Sequence, residues 1–224
     1  MILAATSLPL PGFPCPVCEQ HGPRLLARLG GRDYLRCRRC AATYLPPEQR
    51  PNREAERREY QLHRNAVDDP GYRAFLARLT VPLLKRLDPD AEGLDYGCGP
   101  GPALAAMLHE TGHPMAVWDP LFAPDRSVLQ RRYDFITCTE VIEHLHHPRQ
   151  VFEQLQCLLH PGGLLGLTTC FQTHDARFAG WHYRRDPTHV LFWRRETLEF
   201  LAGQLGWSIL FPADNVALLQ LPNN

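Results

Sequence analysis

Apolar residues follow two rhythms along this chain. Tyr72, Phe75, Leu76, Leu79, Leu83, Leu84 and Leu87 recur at helical spacing and predict a helix with one face in a core. Asp69 and Pro70 punctuate its start, where proline suits a first turn. Pro82 predicts a kink or interruption of that helix. Upstream, residues 53–65 are polar and helix-compatible, and Pro46, Pro47 and Pro51 mark a boundary. From about residue 91, short apolar runs alternate with helical stretches. A strand at 93–96 leads into the turn Gly97-Cys98-Gly99-Pro100-Gly101, a helix at 102–111 and a strand at 114–118 that stops before Asp119.

That order of strand, glycine turn, helix, strand and acid is a nucleotide-binding half of a doubly wound sheet. Glycines let the backbone approach a ligand, and an acid at the second strand's tip accepts hydrogen bonds from ribose hydroxyls. The dinucleotide pattern GxGxxG would need a glycine at Pro102, so it is absent. GxGxG with Asp95 just before it fits a ligand with an amino-acid tail and no pyrophosphate.

Composition narrows the class. A chain of 224 residues with 44% hydrophobic residues suits one domain plus a small module and excludes wholesale disorder. No apolar run approaches the ~18 residues that span a bilayer. The start of the chain lacks a basic region and carries Pro9, a poor match to a signal peptide. The expectation is a soluble, cytoplasmic protein without a membrane partner, whose cysteines stay reduced. The formal net charge of zero argues against a globally basic nucleic-acid binder. It averages two unlike parts, however: residues 1–64 hold 11 arginines against 6 acids, a net +5, and the remainder carries −5.

Four of the 8 cysteines form the pairs Cys15-Pro-Val-Cys18 and Cys37-Arg-Arg-Cys40. This spacing predicts a zinc ribbon in which four thiolates hold one structural ion and leave no open position. Residues 25–35, with Gly30-Gly31 in the middle, read as the hairpin that brings the pairs together. Metal binding would supply most of the folding free energy of so small a module. Arg24, Arg28, Arg32, Arg36, Arg38 and Arg39 lie in or beside it. They read either as a contact surface for nucleic acid or another anionic partner, or as a solvated face. Cys98, Cys138, Cys157 and Cys170 read as small core residues on or near the sheet.

Leu94-Asp95-Tyr96-Gly97-Cys98-Gly99-Pro100-Gly101 resembles the first motif of the class I S-adenosylmethionine-dependent methyltransferases, and Asp119 resembles their ribose-binding acid. Tyr133-Asp134-Phe135-Ile136-Thr137-Cys138 resembles their fourth strand. Glu140-Val141-Ile142-Glu143-His144-Leu145 with Pro148 resembles the segment after it, and His160-Pro161-Gly162-Gly163-Leu164 the approach to the fifth strand. Residues 207–211 and 216–221 would form the closing antiparallel hairpin. The resemblance covers roughly residues 60–222. It implies a Rossmann-like methyltransferase sheet with that hairpin, preceded by the zinc ribbon. The division expected is 1–46 ribbon, 47–90 linker and lid helices, and 91–224 methyltransferase domain. Only 13 residues separate Asp119 from Tyr133, too few for the family's helix and third strand, so that strand is predicted to be shortened or missing. Leu121, Phe122 and Cys138 to Glu140 are then the nearest replacements for the family's adenine contacts.

The resemblance implies a methyltransferase with S-adenosylmethionine held by Asp95, Gly97, Gly99, Gly101, Asp119, Phe122 and Glu140. Tyr72, with His63 and Asn65 nearby, either covers the methionine end of the cofactor or belongs to the core. Seven of the 11 histidines lie between His144 and His189, where a base is needed. His189, oriented by Asp186, is the preferred general base, with His182 or Tyr183 next. Asp186 and His189 read equally as the closure of a loop before a helix at 197–205. Glu140, Glu143 and His144 would share a helical face. That pattern resembles the divalent-metal site of some O-methyltransferases, or else fixes loop geometry by hydrogen bonding. His146 and His147 read as exposed loop residues. The acceptor is a small molecule or RNA, with a protein partner for the ribbon as a further role. The competing reading is a non-catalytic S-adenosylmethionine-binding or scaffold protein.

Overall fold

The computed structural model describes residues 13–61 and 66–223. The expectations for the chain start and for His63 and Asn65 lie outside the described residues. Two sheets organise the molecule. The larger has six strands in the order β5-β4-β6-β7-β10-β9. Strands β4 (Gly93–Tyr96), β5 (Met115–Trp118), β6 (Tyr133–Thr139) and β7 (Leu159–Thr168) run parallel. Strands β9 (Ser208–Ala213) and β10 (Val216–Gln220) form the closing hairpin, with β10 antiparallel to β7. Helices α3 (Ala103–Glu110), α4 (Pro148–Cys157) and α5 (Arg195–Gln204) provide the connections.

The third strand of the family pattern is absent. Between Asp119 and Tyr133 the chain makes one bridge, Asp119 to Ala123, and a 3-10 turn at Arg126–Gln130 that packs against β5. Thus β5 is a sheet edge, as the 13-residue gap requires.

Helix α1 (Arg53–Tyr60) is capped by the Asn52 side chain, which accepts from the Ala55 N–H. Helix α2 (Pro70–Leu84) is capped by Asp69, which accepts from the Tyr72 N–H. Its apolar face buries Leu76, Leu79 and Leu83 against α3 and the sheet. The interruption predicted at Pro82 does not occur, and the helix continues to Leu84. Proline removes one ladder bond, but here it sits in the last turn, where little helix remains to be deflected.

The smaller sheet joins the ribbon to the rest of the chain. Strands β1 (Arg24–Leu29), β2 (Arg32–Arg36) and β3 (Thr43–Tyr44) form the predicted antiparallel ribbon. Strand β3 then pairs with β8 (Leu191–Phe192), giving the order β1-β2-β3-β8. Ribbon residues Tyr34, Leu35 and Tyr44 share one apolar core with Phe152, Phe178, Phe192 and Trp193. Packing on the main sheet therefore adds to whatever free energy metal binding supplies. Cys138 is fully buried, as expected of a core residue, whereas Cys157 is exposed at the end of α4 and Cys98 is half-buried in the glycine turn.

Asp95 and Thr137 sit opposite each other on β4 and β6, and the Thr137 hydroxyl donates to Asp95 Oδ1 at 2.8 Å. Burial pushes the Asp95 carboxyl up to about 7. The folded state therefore holds this proton more tightly than the unfolded chain, and stability falls as pH rises through that range. Between pH 4 and 8, the protein should lose stability to denaturant relative to Asp95→Asn, with the gap widening as pH rises. Parallel pH profiles for the two proteins would contradict this placement.

Candidate active site

A cavity of about 1200 Å³ lies at the carboxyl ends of β4, β5 and β6. Its first end is built on the glycine turn. Gly97 has φ +80°, and a Cβ there would meet Val141 Cγ2 at 2.4 Å, so only glycine fits. Beside Gly99 a Cβ would meet no protein atom within 4 Å, so the backbone faces open space. Asp119, at the tip of β5, accepts from the Leu121 and Phe122 N–H groups at 2.8 and 3.1 Å and from the Gly99 N–H at 3.1 Å. One carboxylate thus ties the glycine turn to the loop that replaces the third strand. Tyr72, Phe122, Thr139 and Glu140 line this cavity, whereas Asp95 and Gly101 lie outside its lining. Cys138 is buried away from it. The sequence reading missed Tyr96 and Trp118, whose rings pack 4.5 Å apart at this end. Their positions at the tips of β4 and β5 were the available signal.

The second end carries Glu140, His144, His182, Tyr183, Asp186 and His189. Glu140, Glu143 and His144 do not share a helical face. Glu140 has φ +52°, and only Ile142–His144 form a 3-10 turn. Glu143 is fully buried and meets Glu140 through Tyr183. The Tyr183 hydroxyl lies against Glu143 Oε1, 3.1 Å from Glu140 Oε2 and 3.1 Å from Thr169 Oγ1. Burial raises both carboxyls above their ordinary values, and the Glu140 charge raises Glu143 further. Burial and the two carboxylates raise the phenol as well, and its hydroxyl sits as a hydrogen-bond donor between them.

His189 is buried, and its Nδ1–H donates to the Tyr183 carbonyl at 2.7 Å. Only a protonated nitrogen can bond a carbonyl, so in the neutral ring Nε2 is the basic atom. Asp186 Oδ2 lies 3.7 Å from that Nε2, while Asp186 Oδ1 accepts from the Thr188 N–H and hydroxyl at 2.8 and 2.5 Å. The Tyr183 carbonyl therefore orients the ring, and Asp186 closes the loop and faces the basic nitrogen. His144 Nδ1 donates likewise to the Thr188 carbonyl at 3.2 Å. Ligand atoms of Glu143, His144 and His189 lie within 4.8 Å of one another, so His189 takes the place expected for Glu140 in that cluster.

Helix α1 roofs the cavity with Glu56 and Tyr60, four residues apart on one face. His146, expected to be an exposed loop residue, is partly buried and bonds Glu56 Oε1 at 2.9 Å. His147 is exposed as expected. The Arg50 Nη1 donates to the His146 carbonyl at 3.1 Å and its Nε to the Leu45 carbonyl at 3.1 Å.

In the ribbon, the four sulfurs of Cys15, Cys18, Cys37 and Cys40 all lie within 4.8 Å of one another, are buried and form no disulfide. The Arg39 and Cys40 N–H groups point at Cys37 Sγ at 3.3 and 3.5 Å, which favours a thiolate. This donor set is compatible with a tetrahedral soft-metal site.

The chain matches the family described as "Methyltransferase domain" over residues 69–210. It is 30% identical over 97 residues to the ubiquinone biosynthesis O-methyltransferase of Proteus mirabilis, covering 42% of this chain and 39% of that protein. It is 33% identical over 82 residues to the protein of the same description from Photorhabdus laumondii, covering 36% and 33%. The match thus spans between a third and two fifths of these curated relatives. A solved S-adenosylmethionine-dependent methyltransferase from Methanosarcina mazei superposes with a TM-score of 0.49 at 15% identity, covering 64% of this chain and 98% of that one. The family match takes in the glycine turn, Asp119 and the Glu143–His144–His189 cluster, and by it the chain belongs to the methyltransferase-domain family.

Proposed function

We propose that this protein is an S-adenosylmethionine-dependent methyltransferase acting on a hydroxyl of a small-molecule acceptor, with a zinc ion structuring its ribbon. The observation that carries this reading is one continuous cavity. It joins an open glycine turn and a buried acid at one end to an oriented imidazole and the Glu140 and Asp186 carboxyls at the other. When bound, S-adenosylmethionine would supply an electrophilic sulfonium methyl group, with a neutral thioether as the leaving group when an acceptor oxygen attacks that carbon in line. Gly97, Gly99, Asp119, Phe122, Glu140 and Tyr72 would hold it, with Asp95 supporting the turn from behind. At the other end, His189 Nε2 accepts the acceptor's proton and Asp186 stabilises the resulting imidazolium. Tyr183 and Glu143 hold the base loop in place.

Two observations favour a small acceptor over RNA. The relatives are named for ubiquinone biosynthesis. The ribbon arginines are also engaged within the molecule: Arg24 and Arg36 pair with Asp175, Arg28 with Asp33, and Arg39 lies over the Phe200 ring.

A second reading of the acceptor end has its own support. Glu143, His144 and His189 offer three ligand atoms, and both rings are oriented through Nδ1 by backbone carbonyls, a common outer shell for metal-binding histidines. A divalent ion there would lower the pKa of an acceptor hydroxyl.

Calorimetric titration should detect S-adenosylmethionine binding, weakened by Gly97→Ala and unchanged by His189→Ala. Against a small-molecule fraction of cell extract, His189→Ala should lower labelled-methyl transfer by about 100-fold or more. No binding at millimolar cofactor would defeat the enzyme reading and leave a scaffold. Elemental analysis of protein purified without chelator should find one zinc per chain, absent after Cys37→Ser. Titration with Mn²⁺ should show a second site lost in both His144→Ala and His189→Ala. Absence of that site would leave His189 as a base alone.

A further inference from the structure

We propose that the ribbon is a fixed brace behind the acceptor pocket that positions the His189 loop, and is not a platform that docks a macromolecule. This rests on the reading of the His189 end of the cavity as the acceptor end.

The joint between ribbon and pocket is made of backbone. Thr43 and Tyr44 pair with Phe192 and Leu191, and the Leu45 N–H donates to the Val190 carbonyl at 2.9 Å. The Val190 N–H in turn donates to the Glu143 carbonyl at 3.0 Å. The residue that follows His189 therefore links the ribbon on one side to the Glu143 turn on the other. A loop whose polar groups are spoken for in this way has little freedom to move alone.

Side chains lock the same joint. The Thr43 hydroxyl donates to Gln172 Oε1 at 2.7 Å, and the Gln172 N–H donates to the Trp193 carbonyl at 2.7 Å. Asp175 receives Arg24 at 2.9 Å and Arg36 at 2.6 Å from the ribbon, and Arg194 from the segment after β8. Arg36 is only 4% exposed, so its charge depends on that carboxylate. Tyr34 meets Phe178 edge-on at 4.9 Å, and Phe178 meets Phe192 at 5.4 Å. The remaining two ribbon arginines, Arg32 and Arg38, bond the Pro187 and Gly22 carbonyls. Three of the ribbon arginines, Arg24, Arg36 and Arg32, thus bridge to the segment that carries His189.

Hydrogen-exchange mass spectrometry on the full chain tests this, comparing zinc-loaded protein, chelator-treated protein and the variants Asp175→Asn and Arg24→Gln. Arg24→Gln is the milder cut, because Asp175 keeps its other two arginines. Loosening the ribbon should raise amide exchange at residues 142–146 and 186–193 by about tenfold, the scale of one lost hydrogen bond, with residues 93–101 unchanged. The His189 Nδ1 proton should also weaken or vanish in the NMR spectrum, a signature that general destabilisation of the ribbon would not move. Calorimetric affinity for S-adenosylmethionine should stay within about twofold, since Gly97, Gly99 and Asp119 stand at the ends of β4 and β5, away from the ribbon joint at β3 and β8.

Unchanged exchange at 186–193 in a loosened ribbon would overturn the proposal. A uniform rise across the chain, β4 and β6 included, would overturn it too, because the ribbon would then hold the whole fold. Salt-sensitive binding of total RNA that is lost in Arg38→Gln would replace the brace with a docking platform. Failure of the untreated protein to bind S-adenosylmethionine would defeat the enzyme reading instead, and the exchange pattern would still decide this one.

Discussion

A buried strand of two residues cannot leave its backbone unpaired. Leu191 and Phe192 are fully buried, and Val190 before them nearly so. Their N–H and C=O groups need partners inside the protein. Those partners come from β3 and Leu45 of the ribbon and from the Glu143 turn. The position of His189, one residue earlier, follows from that requirement. So does the path of Trp193, whose indole N–H donates to the Ile142 carbonyl at 2.9 Å. What a linear reading divides into front module and catalytic part is one packed unit on this side of the sheet.

The His189 end of the cavity is a second case of mutual dependence. Two carboxyls, one phenol and one hydroxyl meet inside a space from which water is largely excluded. A phenol has one proton to give, so it cannot satisfy two charged carboxylates at once. Burial raises both carboxyls, and the Tyr183 and Thr169 hydroxyls counter part of that rise. The His189 loop is attached to this cluster through the Tyr183 carbonyl, which receives the imidazole Nδ1–H at 2.7 Å.

The sequence spelled out whatever depends on short spacing. Two CxxC pairs, a glycine turn preceded by an acid, and a 13-residue gap each describe local geometry, and each maps directly onto the structure. Features made by distant partners stayed invisible. Nothing local tells that Arg24 and Arg36 reach Asp175 or that Glu56 reaches His146. An arginine-rich segment looks the same whether its charges face solvent or a buried carboxylate. The Glu140–Glu143–His144 pattern failed for a different reason. Helical spacing was assumed, but Glu140 adopts a left-handed backbone, and the third member of the cluster comes from 45 residues further on. Pro82 shows the converse error: a strong local breaker did not interrupt the helix, which runs on to Leu84.

The absent third strand has a consequence for how the molecule behaves among its neighbours. An open parallel edge offers unpaired backbone groups to any extended peptide that drifts past. Here the edge strand is only four residues long, and the 3-10 turn after it folds back against its flank. The Asp119–Ala123 bridge seals the strand's outgoing end. The connection that saves a strand and a helix therefore doubles as a cover, keeping a truncated sheet from recruiting a replacement strand from another molecule.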